Sequence, residues 1–148
     1  MRVLLQRVSR ASVTVRGEPV ASIGPGLLLL VGVGKDDAFG EYDRLAEKVF
    51  HLRVFEDDEG KMNRSLADVG GEILLVPQFT LFGDVRRGRR PSWDGAAPPE
   101  VAADRVEAFA RALEARGAAV RRGAFREHME VALVNDGPVT LWIDAADL

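Results

Sequence analysis

The 148-residue chain contains no cysteine. This excludes a disulfide framework, a thiol nucleophile and any thiolate-bound metal, and it suits a reducing compartment. Histidine is scarce. His51 and His128 are the only two, and neither belongs to a metal spacing such as His-Glu-x-x-His. His51 falls late in an expected helix and reads as a capping or half-buried residue. His128, within Phe125-Arg126-Glu127-His128-Met129, is expected either to line a site or to face solvent. No metal and no cofactor is expected. The serine-hydrolase elbow Gly-x-Ser-x-Gly is missing. The phosphate-loop pattern fails at Gly32-Val33-Gly34-Lys35-Asp36, because Leu29 and Asp36 stand where it needs Gly and Ser or Thr. Gly24-Pro25-Gly26 precedes a strand instead of opening a helix, so it is no dinucleotide fingerprint.

Long apolar runs are also lacking. The longest, Leu27 to Val33, has seven residues, whereas a membrane span needs about 20. Met1 to Arg7 turns polar too soon for a signal peptide. The expectation is a soluble, cytoplasmic protein with no membrane partner. Neither charge sign dominates: the net charge of −3 argues against a surface that grips nucleic acid everywhere, and no DNA partner is expected. One local exception is Arg86-Arg87-Gly88-Arg89-Arg90, which packs four of the 20 Lys and Arg into five positions. It is either a phosphate contact or a solvated loop.

The composition that remains, 47% hydrophobic and 29% charged, is that of a soluble globular protein. The length fits a single domain over residues 1–148, large enough to bury roughly two-thirds of its unfolded surface. Val3 to Val15 mixes β-branched and polar residues, which predicts a half-buried strand. Arg16-Gly17-Glu18-Pro19 reads as a turn, Val20 to Ile23 as a return strand, and Leu27 to Val33 as a buried strand. From Glu41 to Leu52 the apolar residues Leu45, Ala46, Val49, Phe50 and Leu52 mark one face of a helix. Arg53 to Glu56 and Glu72 to Val76 read as strands. A second helix starts at Pro98-Pro99, carries Val101, Val106, Phe109 and Leu113 inward, and stops at Gly117. Glu130 to Val134 and Val139 to Ile143 read as two strands separated by Asn135-Asp136-Gly137-Pro138. The order predicts an α+β fold: a mainly antiparallel, barrel-like sheet with two main helices, not a βαβ repeat.

Two segments carry chemistry worth explaining. In Pro77-Gln78-Phe79-Thr80-Leu81 a strand runs directly into a polar pair flanking an aromatic. The Thr80 hydroxyl is a poor nucleophile without an adjacent base, and the segment also reads as a plain strand end. Asn135-Asp136-Gly137-Pro138-Val139-Thr140 likewise reads as an ordinary turn. Taken with Gln6 to Val13, Ile23 to Leu27, Phe55-Glu56-Asp57, Gly60 to Asn63, Arg89-Arg90-Pro91-Ser92 and Ala97-Pro98-Pro99, these segments resemble the D-aminoacyl-tRNA deacylases. The matches run in order from residue 1 to about 144.

That resemblance implies a homodimer of barrel-like subunits with active sites at the interface. The implied reaction is hydrolysis of D-aminoacyl-tRNA, and of glycyl-tRNA mischarged on tRNA-Ala, at the tRNA 3′ end. It implies that a cis Gly137-Pro138 pair enters the partner's site and rejects L-amino acids by collision, with Arg7 holding the pair in place. Gln78, Phe79 and Thr80 are the implied catalytic segment. Two routes stay open: backbone N–H groups of Phe79 and Thr80 stabilising the oxyanion, or Thr80 Oγ acting as nucleophile. Pro77 and Met129 are expected to border the substrate, and Arg86, Arg87, Arg89 and Arg90 to meet tRNA phosphates. Two departures stand out. Pro77 replaces the family's usual Ser, as in a related animal deacylase of L-alanyl mischarged tRNA, although Phe79 matches the D-specific group. Arg126-Glu127-His128 replaces the usual Gly-Ala-Asp before Met129. The rival readings are a non-catalytic tRNA-binding dimer, an L-alanyl deacylase and a generic esterase.

Overall fold

The computed structural model describes residues 1–148. Its spine is β1 (Arg2–Val15), a strand long enough to use both edges twice. One edge carries β8 (Glu130–Asp144), antiparallel over both halves. The other edge pairs first with β3 (Gly26–Gly32), at Arg2 to Val8, and then with β2 (Glu18–Ile23), at Ala11 to Val15. Beyond β3 the sheet continues through β6 (Glu72–Pro77) to β7 (Ala119–Arg122), both in parallel pairing. Curling brings β2 alongside β7 without a ladder between them, so the sheet is a nearly closed barrel. A small separate hairpin joins β4 (Phe55–Glu56) to β5 (Met62–Arg64). The helices are α1 (Glu41–His51), the four-residue α2 (Leu66–Val69) and α3 (Pro99–Ala115). No helix is long and apolar enough to cross a membrane.

The expected sheet-rich α+β architecture with two main helices is present, with one correction: the sheet is mixed, not mainly antiparallel. β3 reaches β6 by a crossover containing α1, and β6 reaches β7 by one containing α3. Parallel partners need such crossovers because a short turn cannot return the chain to the same end.

Both faces of the central strands are buried. Leu27, Leu29 and Val31 of β3, with Ile73 and Leu75 of β6, join the larger core beneath the helices. Leu28, Leu74 and Val76 face a second cluster with Val8, Ala11, Val13 and Ile23. Two-sided burial is why these strands read as uninterrupted apolar runs. Onto this sheet α1 lays Leu45, Ala46, Val49 and Phe50, and α3 lays Ala102, Val106, Phe109, Ala110 and Leu113. Each fully buried Leu or Phe contributes roughly 1.5–3 kcal/mol. Val101, expected inside, is 40% exposed; Ala102 takes the inward position. Beyond α3, Gly117 adopts φ 104°, and Ala118 N–H donates to Leu113 O (3.1 Å) to close the helix end.

Three boundaries differ from expectation. The first turn shrinks to Arg16-Gly17, both at positive φ, which matches the twist of a two-residue hairpin. Pro19 therefore lies within β2, where the register slips between Val13 and Thr14; an irregularity of this kind tolerates the missing N–H. The strand expected at Arg53–Glu56 contracts to Phe55–Glu56. The segment Asn135 to Pro138 does not separate two independent strands, since both arms of β8 pair with β1. Asn135 opposes Val8 and Thr140 opposes Gln6, so residues 136–139 bulge opposite the single residue Arg7.

Candidate active site

The end of β6 delivers Gln78 and a 3-10 turn, Phe79–Phe82. The turn is seated on β3: Gln78 N–H donates to Val31 O at 2.7 Å, and Leu81 N–H closes onto Gln78 O at 3.2 Å. Gly32 and Gly34 create the space. A Cβ on Gly32 would meet Gln78 O at 2.9 Å, and one on Gly34 would meet the Phe82 ring at 2.6 Å. As the first residues of the turn, Phe79 and Thr80 have N–H groups without a partner inside it. The Gln78 side-chain amide donates to Thr80 Oγ1.

Beside this turn lies a cleft of about 720 Å³, lined mainly by apolar side chains. Its walls include Val31, Pro77, Gln78, Phe79, Trp93, Ala97, Val106, Phe125 and Met129. Phe79 and Trp93 meet edge to face, centroids 5.3 Å apart, and both are exposed at the mouth, 56% and 41%. Arg126, Glu127 and His128 also line the cleft. Arg126 holds φ 64°, a conformation that glycine adopts without strain. The carboxyl ends of the parallel strands β3, β6 and β7, or the segments just beyond them, all reach this cleft. A larger, shallower depression lies on the outer face of α1 among Asp43, Glu47, Lys48, His51 and Arg116. Its charges pair with one another, as in Arg116 with Asp43 and Glu47, which leaves the apolar cleft as the better small-molecule site.

The residues singled out from sequence divide into four groups. Pro77, Gln78, Phe79 and Met129 line the cleft. Thr80 sits just outside the lining, exposed. Arg7, Gly137 and Pro138 lie elsewhere, at the bulge in β8. The Gly137–Pro138 peptide is cis. Arg7 is only 5% exposed; its Nε donates to Asp136 O (2.9 Å) and its Nη1 to Val54 O (2.7 Å). Glu56 and Asp136 carboxylates stand 3.8 and 3.5 Å from the guanidinium. Asn135 closes the base of the bulge, accepting from Val139 N–H (2.9 Å) and donating to Thr140 Oγ1 (2.7 Å). Gly137 adopts φ 139°, and a Cβ there would meet Val139 N at 2.9 Å and Arg7 Nη2 at 3.2 Å.

Arg86, Arg87, Arg89 and Arg90 are exposed on a loop tipped by Gly88 and do not line the cleft. Paired backbone bonds between Asp84 and Ser92, 2.8 and 2.9 Å, close its base. Arg86 folds back onto Asp84, and its hydrogen bonds hold that carboxyl down to about 2. Trp93 is a lining residue that sequence reasoning misses. A bulky aromatic set between polar Ser92 and Asp94 is the available signal, since it has no periodic apolar pattern to join.

The family model described as "D-Tyr-tRNA(Tyr) deacylase" matches residues 4–144. A D-aminoacyl-tRNA deacylase of Thermomicrobium roseum is 62% identical, covering 100% of this chain and 96% of the relative. One from Roseiflexus castenholzii is 60% identical, covering 99% and 93%. Among solved structures, a "c-Myc DNA Unwinding Element Binding Protein" superposes with TM-score 0.91 and 39% identity, covering 97% of this chain and 98% of that one. A "probable eukaryotic D-amino acid tRNA deacylase" superposes with TM-score 0.78 at 20% identity, covering 96% and 97%, and shares the fold.

Proposed function

The chain belongs to the D-Tyr-tRNA(Tyr) deacylase family, and from that membership we propose that it hydrolyses the ester joining a D-amino acid, or glycine mischarged on tRNA-Ala, to the 3′ end of tRNA. The observation that carries the mechanism is the Gln78–Phe82 turn beside the apolar cleft. It offers free N–H groups at Phe79 and Thr80 where an ester carbonyl would develop negative charge. Water adds to the carbonyl carbon, the ester C–O bond breaks, and the proton goes to the departing 3′-oxygen, with the ribose 2′-hydroxyl oriented to relay it. Two such donors suffice for a reactive ester, since losing one oxyanion donor typically costs roughly 10²–10³ in rate.

Thr80 as nucleophile is the weaker route. Its Oγ1 receives a hydrogen bond from Gln78, and an amide has no basic site to take a proton from it. Thr80→Ala should therefore retain most activity, and an acyl-Thr80 species trapped at acid pH would reverse this assignment.

Rejection of L-amino acids needs a repulsive element, and the exposed Gly137–Pro138 bulge supplies it to a partner subunit. It does not line its own cleft, so its reach is outward. The outer edge of β8 is unpaired and presents Val134, Leu141 and Trp142 at 37–51% exposure. Such an edge favours association with a second copy. The arginine loop approaches tRNA phosphates, and the substrate places the protein in the cytoplasm. Matched D-, L- and glycyl-tRNA, assayed for release of the amino acid, test the reading. Cleavage of D- and glycyl- but not L-aminoacyl-tRNA is expected. Preference for L-alanyl-tRNA would transfer the assignment to the reaction favoured by Pro77, and binding without cleavage would leave a non-catalytic dimer.

A further inference from the structure

Arg2, the first residue of β1, joins two elements that the ladder does not connect. Its Nη1 donates to Leu81 O at 3.0 Å, and its Cζ lies 4.3 Å from the centroid of the Phe82 ring. On the other side its Nε donates to Asp144 Oδ2 at 3.2 Å, and Trp142 stands 5.6 Å away, centroid to Cζ. The planar guanidinium thus grips the back of the 3-10 turn with one set of contacts and the carboxyl arm of β8 with the other. We propose that Arg2 is a positioning residue for the oxyanion donors of the cleft, an inference that rests on the function proposed above.

The turn has a front anchor and a back anchor. In front, Gln78 N–H is tied to β3 through Val31 O (2.7 Å). At the back, the Leu81 carbonyl belongs to the last residues of the turn, where carbonyls have no partner within it, and Arg2 supplies the donor. Phe79 and Thr80 lie between these anchors, so their N–H directions depend on both. A misplacement of about 1 Å at reacting groups costs on the order of a hundredfold in rate. Lysine cannot reproduce the grip, because a point charge on a flexible stem has neither the fork for Leu81 and Asp144 nor the flat face for Phe82.

The test is single-turnover deacylation of D-aminoacyl-tRNA by Arg2→Met and Arg2→Lys. Alongside, the number and affinity of sites are titrated with a non-hydrolysable amide analogue of D-aminoacyl-adenosine. Arg2→Met should lose about tenfold to a hundredfold in the single-turnover rate, with site number and affinity within about twofold of the parent. Arg2→Lys should recover only a minor part of that loss. The D-over-L ratio should stay unchanged, since the bulge in β8 is not part of the grip. An Arg2→Met rate within about threefold of the parent overturns the proposal, as does a loss that merely follows the loss of titratable sites. If Arg2→Met does not fold, Arg2→Lys carries the test, with a fall of at least about threefold required. A parent protein that cleaves no aminoacyl-tRNA overturns the proposed function and this role together; an active parent with insensitive variants overturns this role alone.

Discussion

Removing the Arg7 guanidinium should destabilise the fold by about 2–3 kcal/mol and should also erode discrimination between mirror-image substrates. Arg7 is buried and donates to two carbonyls, Val54 O and Asp136 O. Hydrogen bonds to charged groups contribute roughly 1.5–3 kcal/mol each, so the pair sets an upper bound of about 6 kcal/mol. Part of this is returned in Arg7→Met. Asp136 is exposed, and water replaces the donor at its carbonyl. Val54 is 5% exposed, so its carbonyl is left without a partner, and that orphan dominates the cost. The Glu56 and Asp136 carboxylates, 58% and 60% exposed, add little because solvent screens them. A loss of this size lowers the melting temperature by about 5–10 °C for a chain of this length. Urea unfolding followed by circular dichroism, at fixed protein concentration, measures it. Arg7→Lys should recover less than half, since one ammonium cannot span both carbonyls. A loss under about 1 kcal/mol for Arg7→Met, with the slope against urea unchanged, would refute the reasoning. The second readout is the ratio of D- to L-aminoacyl-tRNA cleavage, which should fall as the bulge loses the guanidinium that holds Asp136 O.

Gly137→Ala forces a methyl against Val139 N and Val139 Cγ2 at 2.9 Å. It should cut selectivity between D- and L-aminoacyl-tRNA by tenfold or more while leaving the distant cleft intact, and an unchanged ratio argues against the bulge entering a site. Replacing Arg86, Arg87, Arg89 and Arg90 with Ser should weaken tRNA binding independently of tRNA sequence. It should also reduce the slope of log affinity against log salt by about one for each phosphate that is no longer neutralised; an unaltered slope assigns the loop to solvent. Glu107 is held below its ordinary range, first by its hydrogen bond from Arg122 and then by Arg111, with burial opposing. A depressed folded value means that its contribution is present above about pH 4.5 and disappears as pH falls through the lower folded value. Glu107→Gln should therefore be less stable than the parent at pH 7, with the gap closing in acid. A gap independent of pH would show that the carboxylate charge is irrelevant.

Local pattern made part of this architecture readable. The run from Leu27 to Val33 and the spacing of Leu45, Ala46, Val49 and Phe50 reflect burial that each element experiences by itself. Parallel pairing was not readable, because β3 meets β6 across some forty intervening residues and no local feature names the partner. β7 escaped because Ala119-Val120-Arg121-Arg122 is short, half polar and at the sheet's end. Val101 misled because proline at the start of α3 sets where the helix begins but not which way it faces. The Gln78–Thr80 segment showed its oddness in sequence, yet its seat on Gly32 and Gly34 is formed between strands distant along the chain. The grip of Arg2 was invisible for the same reason, since its partners lie 79 to 142 positions away.

The convergence of β3, β6 and β7 separates what must stay constant from what is free to vary. The ladders behind the cleft tolerate little, because successive residues of β3 and β6 alternate between two cores. In the segment that follows β7, Phe125 and Met129 still pack against the two cores, whereas Arg126, Glu127 and His128 between them are exposed. Changes at Arg126, Glu127 and His128 can therefore retune what the cleft admits without disturbing the framework that holds it open.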